Sequence, residues 1–450
     1  MNFDPNGIGQ KLHRHVSALF PIFRSITGEG MRQTLAYIGE SIPLQIRQVP
    51  TGTPVLDWEV PQEWTVRGAT LRRLNGDVVL DIADTNLHLV HYSHPVDRVV
   101  PIEELQAHLH SLPKQPDLVP YRTAYYANSW GFCLAERQRQ ALTDPAYHVS
   151  IDTELAPGVL NYGEMVLPGE GPDEVLFSIH CCHPSLANDN LSSIAIAIEL
   201  AQRLERRARR RFTYRFLFAP GTIGAITWLH LNREVTARIR HGLVLSCLGD
   251  GGPPTYKRSR RENADIDRYV AYQLRAGGHG DRVRPFLPYG YDERQYCSPG
   301  FDLPVGCLTR TPNGEYPEYH TSADDLELVR PEALADSLAL LCRLVDMIEA
   351  DYVPLGTCLH GEPQLGRRGL YQAIGGQPIG ADPSSRFDQL TLLWVINQAD
   401  GTHSLLDIAE RSGKPFAAVA AAAEALAAAG LLNRADPSPA RASDRQAGDR

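Results

Sequence analysis

Val175-Leu176-Phe177-Ser178-Ile179-His180-Cys181-Cys182-His183-Pro184 is the stretch on which the fold turns. The apolar run through Ile179 is short enough for a strand buried on both faces, and metal-type ligands follow it at once. A strand that ends this way reads as part of an open, mostly parallel α/β sheet, which gathers functional loops at the carboxyl ends of its strands. Three further stretches repeat the pattern: Ala187-Asn188-Asp189-Asn190, Leu248-Gly249-Asp250 and Glu318-Tyr319-His320-Thr321-Ser322-Ala323-Asp324. Ligands so far apart in sequence meet only where strand ends meet. His180, Asp189, Asp250 and His320 are therefore candidate ligands of a zinc-type ion, which takes nitrogen, sulfur and carboxylate donors. Each has a plainer alternative. Asp189 precedes a helical run and could be its N-cap, Asp250 opens a Gly/Pro turn where Asp is common, and either histidine could be hydrogen-bonded beneath a loop. His183 and Cys182 stand close enough to join, although buried cysteines are usually inert.

Outward from this stretch, strand-like runs at 174–179, 212–219, 242–247 and 303–309 alternate with helix-like runs at 191–207, 223–232, 264–276 and 331–350. Such alternation predicts a doubly wound sheet. Residues 1–44 read as helices of this main domain, with Leu12, Val16 and Leu19, then Met31, Leu35 and Ile38, spaced near 3.6. Short β-like runs around Asn75-Gly76-Asp77 predict an inserted β-rich module over 45–120. The main domain then spans 121–355, a Gly/Pro-rich linker 356–386, a three-helix unit 387–434 and a disordered tail 435–450.

Bulk composition excludes little. The 450 residues are 43% hydrophobic and 22% charged, and the net charge of -9 gives no overall pull toward nucleic acid or anionic membrane. No apolar run approaches the roughly 20 residues of a membrane span, and the first residues lack the features of a signal peptide. Eight irregularly spaced cysteines read as reduced thiols, so the expected compartment is the cytoplasm.

Taken together, the runs at 180–192 (His-Cys-Cys-His-Pro-Ser-Leu-Ala-Asn-Asp-Asn-Leu-Ser), 220–229 (Pro-Gly-Thr-Ile-Gly-Ala-Ile-Thr-Trp-Leu), 249–261, 296–306 and 317–326 resemble an aminopeptidase-like family related to zinc exopeptidases and glutaminyl cyclases. The resemblance covers nearly the whole chain, including the inserted small β domain and a C-terminal winged-helix-like domain. It implies a zinc-exopeptidase-like α/β fold and places His180, Asp189, Asp250 and His320 at metal-ligand positions, for one zinc ion or two. It also implies hydrolysis of an amide or peptide-like small molecule, in a family often encoded beside polysaccharide or secondary-metabolite biosynthesis genes.

One departure qualifies this. Related aminopeptidases carry a Glu-Glu pair after the strand equivalent to 212–219, and this chain has Pro220-Gly221-Thr222-Ile223 there. A positioned base adds roughly 10²- to 10⁴-fold, so Glu318 and Glu293 become the candidate bases. A glutamate placed at Gly221 would either restore that base or overcrowd the turn. The alternatives are an acyl transferase or cyclase at the same site, or a scaffold that kept the fold without the chemistry. Arg258, Arg260 and Arg261, just after Asp250, could hold an anionic substrate group or serve in structural ion pairs. The winged-helix-like unit offers an Ala-rich helix nearly without basic residues, so docking or homo-oligomerisation is expected of it rather than specific DNA binding.

Overall fold

The computed structural model describes residues 5–370 and 386–434. The chain forms two compact units, Met1–Cys342 and Arg343–Arg450. Two expectations, the disordered tail and the second half of the linker, lie outside the described residues.

The first unit opens with helices α1 (Pro5–Leu19) and α2 (Glu29–Ser41), which bury the apolar stripes anticipated from their spacing. Twelve strands make up its two larger sheets: β1 (Gln45–Pro50), β2 (Glu63–Arg73), β3 (Val78–Asp81), β4 (Val96–Pro101), β5 (Ala146–Ala156), β6 (Val159–Leu167), β7 (Glu174–His180), β8 (Thr213–Ala219), β9 (Ile239–Leu245), β10 (Thr255–Lys257), β11 (Val283–Arg284) and β12 (Val305–Thr309). Helices α3 (Ser192–Glu205), α4 (Ile223–Leu231), α5 (Asp265–Ala276) and α6 (Pro331–Ala350) alternate with the later strands.

Eight of these strands form one mixed sheet in the order β1-β6-β8-β7-β9-β12-β10-β11. Its centre, β8-β7-β9-β12, is parallel, while β1, β6 and β8 pair antiparallel on one flank and β10 runs antiparallel to β12 on the other. Every residue of β7 is buried, as a central strand covered on both faces requires. A buried cation ties the flank together: Arg215 on β8 meets Glu164 on β6 at 2.8 Å and Glu174 on β7 at 2.9 Å. Removing one member of such a group costs about 3–5 kcal/mol, because a charge is left buried and unmatched.

The chain leaves β7 for β8 on one side, then crosses to β9 on the other. That reversal puts a switch point at the carboxyl ends of β7 and β9, the usual place for a ligand crevice. A second sheet, β3-β2-β5-β4, covers part of the unit. Alternate residues of β5 are buried, so one face of this sheet is packed and the other is wet. Its strands run from Glu63 to Ala156, whereas Gln45–Pro50 lies on the edge of the large sheet; the module expected over 45–120 spans both.

In the second unit a short strand, Pro354–Gly356, pairs antiparallel with Leu432–Arg434, and three helices follow the first strand: α7 (Gln389–Gln398), α8 (Leu405–Ser412) and α9 (Phe416–Ala428). Ser404 and Asp407 form a capping box at the start of α8, and Gly413, with φ 68°, ends it in the left-handed region that favours glycine. Ala422 and Ala423 of α9 are fully buried with Val419 and Leu426, so its alanines build the core of the unit. Among the described residues, no helix is long and apolar enough to cross a membrane.

Candidate functional site

His180 is the last residue of β7 and is buried. Its Nε2 lies 2.8 Å from Asp189 Oδ1. The other carboxylate oxygen, Oδ2, meets His320 Nε2 at 3.0 Å and His183 Nδ1 at 3.7 Å. Three imidazoles from two distant loops thus converge on one buried carboxylate, and the nitrogens of His180 and His183 with an Asp189 oxygen are close enough to share a metal ion. Asp189 is no helix cap. α3 starts three residues later without a side-chain cap, and Asp189 sits in a non-helical turn at φ -107°, ψ 79°.

Neighbouring groups hold each ligand in place. Asp324 accepts the main-chain N–H groups of Asn188 (2.6 Å) and Asp189 (3.1 Å), which fixes the turn. Asn190 donates to the carbonyls of His180 and Leu245, and its Oδ1 accepts the Cys247 N–H, so one amide bridges the ends of β7 and β9. Arg24, fully buried, donates to the carbonyl of His183 at 2.8 Å. Tyr319 stacks on His320 (3.9 Å between centroids), Tyr291 stacks on His180 (3.7 Å), and Tyr121 presents its ring edge-on to both His183 and His320.

Strain collects at the same place. Ser185, Thr222, Cys247 and His320, one in each loop after the four central parallel strands, have φ between 40° and 60°. Non-glycine residues seldom occupy this region unless the surroundings over-determine them, and such positions concentrate at functional sites.

Burial sets the charge pattern. It lowers the pKa of His180 and drives that of His183 well below the usual histidine value, so both rings are neutral at pH 7. Burial works against the Asp189 anion, yet the surrounding imidazoles overcome it and hold the carboxyl ionised. Neutral imidazoles around a carboxylate are the protonation state in which these side chains bind a metal. Asp324 is pushed the other way by burial, to about 8.

The remaining candidates have partners and settings of their own. All four acceptor positions of Asp250 are taken: Asn188 Nδ2 at 3.0 Å and the Thr311 N–H at 3.1 Å on Oδ2, the Gly252 N–H and Thr311 hydroxyl at 2.7 Å on Oδ1. It clamps three loops together. Glu293 is buried and ion-paired with Lys257. Glu318 is half-buried beside His320, and no described side chain engages its carboxylate. Arg260 and Arg261 both pair with Asp302, at 2.8 and 3.2 Å, and Arg258 donates to the carbonyl of Glu262. Cys182 accepts the Gly221 N–H at 3.2 Å, and burial raises its pKa to about 12, which keeps it a thiol.

Gly221 explains the missing glutamate sterically. A Cβ there would lie 2.1 Å from Tyr291 Oη and 2.7 Å from Cζ. The Tyr291 ring fills the space beside this strand end, and Asp292, its neighbour, accepts the Thr222 N–H at 2.7 Å. Tyr291, Asp324, Asn190 and Tyr121 are site residues that the sequence alone did not single out. Asp324 and Asn190 stand within the ligand-bearing motifs, whereas nothing local marks Tyr121 or Tyr291.

This chain, with histidines and an aspartate at the carboxyl edge of a mixed α/β sheet, is of the aminopeptidase-like class, as its relatives show. The chain belongs to the family described as a domain of unknown function (DUF4910), whose model matches residues 13–351, and a winged helix-turn-helix model matches residues 353–434. It is 43% identical over 424 residues, covering 94% of this chain and 96% of the other, to a Clostridium acetobutylicum protein named for polysaccharide biosynthesis with an aminopeptidase-like domain. A crystal structure of a C. acetobutylicum protein described as a peptidase matches with a TM-score of 0.89 and 40% identity, over 96% of this chain and 97% of that one. BSAP, a zinc aminopeptidase from Bacillus subtilis, matches with a TM-score of 0.57 and 14% identity over 75% of this chain and 94% of its own, a likeness of fold.

Proposed function

We propose that the protein is a metal-dependent hydrolase of an amide bond in a small molecule of a biosynthetic pathway. The observation that carries this is the convergence of His180, His183 and His320 on Asp189. The donors suit zinc, being imidazole nitrogen and carboxylate oxygen. His183 Nδ1 is buried without a hydrogen-bond partner, although it faces Asp189, as befits a nitrogen meant for a cation. In this reading His180, His183, Asp189 and His320 hold one zinc ion, and Asp250 organises the loops. A cation held there supplies Lewis-acid activation of a carbonyl and of water.

The chain's own groups do the rest. Glu318, on the loop that carries His320 and unengaged by any described side chain, takes up the proton as general base; Glu293 is committed to Lys257. The Tyr291 and Tyr319 rings stack on His180 and His320 and hold the orientation of the imidazoles. The filled space at Gly221 favours a second reading, a binding protein that kept the metal cluster without hydrolysis.

Elemental analysis of protein purified without added metal tests the site, with about one zinc per chain expected. His320→Ala should lose most of it with its thermal unfolding cooperative. Glu318→Gln should keep the zinc and lower kcat on a cleaved amide by roughly 10²- to 10⁴-fold. A wild-type protein that neither contains nor takes up zinc overturns the proposal; a zinc protein inactive on every amide offered points to the second reading.

A further inference from the structure

Beside the histidine cluster the first unit contains a cavity of about 370 Å³, near the lower end of the range for small-molecule sites. Tyr291 belongs to both, stacking on His180 and lining the cavity. Tyr289, also in the wall, lies near enough to Tyr319, the ring stacked on His320, for the two phenols to interact electrostatically.

One wall comes from the run Pro285-Phe286-Leu287-Pro288-Tyr289, of which all but Pro288 line the cavity. Its two prolines fix φ, and its main chain is tied down. Lys257 donates to the carbonyls of Leu287 and Tyr289, and the Phe286 N–H donates to Glu262 at 2.8 Å. The apolar side chains are thus held out toward solvent: Leu287 is 56% exposed and Tyr289 71%, with Phe286 half-buried between them and the cavity's other walls. A single exposed apolar residue is ordinary. Several together, at the opening of a cavity, are the mark of a ligand-binding groove.

The cavity's charged side chains are matched within its walls. Lys257 pairs with Glu293, and Arg284 pairs with both oxygens of Glu315. A charged group entering here would give up its hydration and find no opposite charge to receive it. Water has few uncommitted partners in the same space, so an apolar group gains by displacing it. The volume is more than twice the roughly 150 Å³ that suffices for benzene, and the aromatic faces suit a ring.

We propose that this cavity binds the non-reacting part of the substrate and that this part is an uncharged, apolar ring, so that the substrate is a neutral amide carrying an aromatic or alicyclic group. This rests on the amide reading of the neighbouring site, and only binding is needed to test it. Full-length protein stripped with EDTA is titrated separately with p-toluamide, with terephthalamate, which carries a carboxylate in place of the ring methyl, and with acetamide, which has no ring. Binding is followed by ligand-observed NMR. The neutral p-toluamide should saturate in the millimolar range, terephthalamate should bind about tenfold more weakly or worse, and acetamide should not saturate. Leu287→Asp should weaken p-toluamide about tenfold and Tyr289→Ala about threefold. Both side chains are exposed, so an unchanged melting temperature is expected of each variant and confirms that the fold is kept. No saturation by p-toluamide, equal affinity for terephthalamate, saturation by acetamide, or p-toluamide binding unchanged in either variant overturns the proposal. Failure of the hydrolase reading registers separately, as protein that takes up no zinc.

Discussion

Gly221→Ala is the smallest change that asks whether Tyr291 stands where a glutamate could not. The added methyl would lie 2.1 Å from Oη, 2.7 Å from Cζ and 2.9 Å from Cε1 of Tyr291, against 3.4–4 Å for ordinary contact. The ring must retreat by more than an ångström, which draws it from its stack on His180 and from its contact with the Cys182 thiol. Overpacking of this kind costs about 1–3 kcal/mol. At roughly 2 °C per kcal/mol for a large domain, the melting temperature should fall by about 2–6 °C. Zinc affinity should fall as well, because the ring steadies His180. The assay is a double-mutant cycle on Gly221→Ala and Tyr291→Ala, read by denaturant midpoint and by zinc titration. With the ring gone the methyl has room, so the double variant should be more stable than the two single effects added together, by about the overpacking cost. Gly221→Glu carries the same clash and should give no gain on generic aminoacyl anilides. Strict additivity, or a Gly221→Ala protein with wild-type stability and zinc affinity, would refute the steric reasoning.

Two predictions concern the second unit. Its α9 exposes Ala417, Glu424, Ala427 and Ala428; Glu424 pairs with Arg386 at 3.2 Å, and Lys414, just before the helix, is bound to Asp388. With no cation free on that face among the described residues, the full-length protein should show no salt-sensitive affinity for duplex DNA by fluorescence anisotropy, and sequence-selective submicromolar binding at physiological salt would contradict this. Asp388 caps α7, accepting the Thr391 N–H at 2.7 Å and the Lys414 ammonium at 2.6 Å. Burial alone would raise its pKa, but these bonds bring it down to about 2. A pKa depressed on folding means stability present above the unfolded value near 3.9 and lost as pH falls through about 2. Asp388→Ala should therefore cost about 1 kcal/mol at pH 7, seen as roughly fivefold faster hydrogen exchange along α7, with the difference shrinking between pH 4 and 2. Equal protection at pH 7 would show that the cap contributes nothing.

How much of the molecule is legible in the chain depends on how local each cause is. β7 announces itself because a central parallel strand is apolar throughout, and α1 and α2 because a buried stripe repeats every 3.6 residues. The limits of the small sheet could not be read, because β5 pairs with β2 across as many as about ninety residues, Glu63 opposite Ala156, and nothing local records that partnership. The same division runs through the site. His180, Asp189 and His320 were visible as ligand types at strand ends. Asp250 met the same description, yet its carboxylate is filled by Asn188, Gly252 and Thr311, donors supplied by three different loops. His183 faces Asp189 because Tyr121 and Arg24, from distant parts of the chain, fix its ring and carbonyl. Sequence position proposes ligands, and long-range packing decides which of them face one another. Gly221 joins the two levels. Its lack of a side chain, read along the chain, is a missing base. In three dimensions it is the space the Tyr291 ring occupies, and that ring both stacks on His180 and lines the neighbouring cavity.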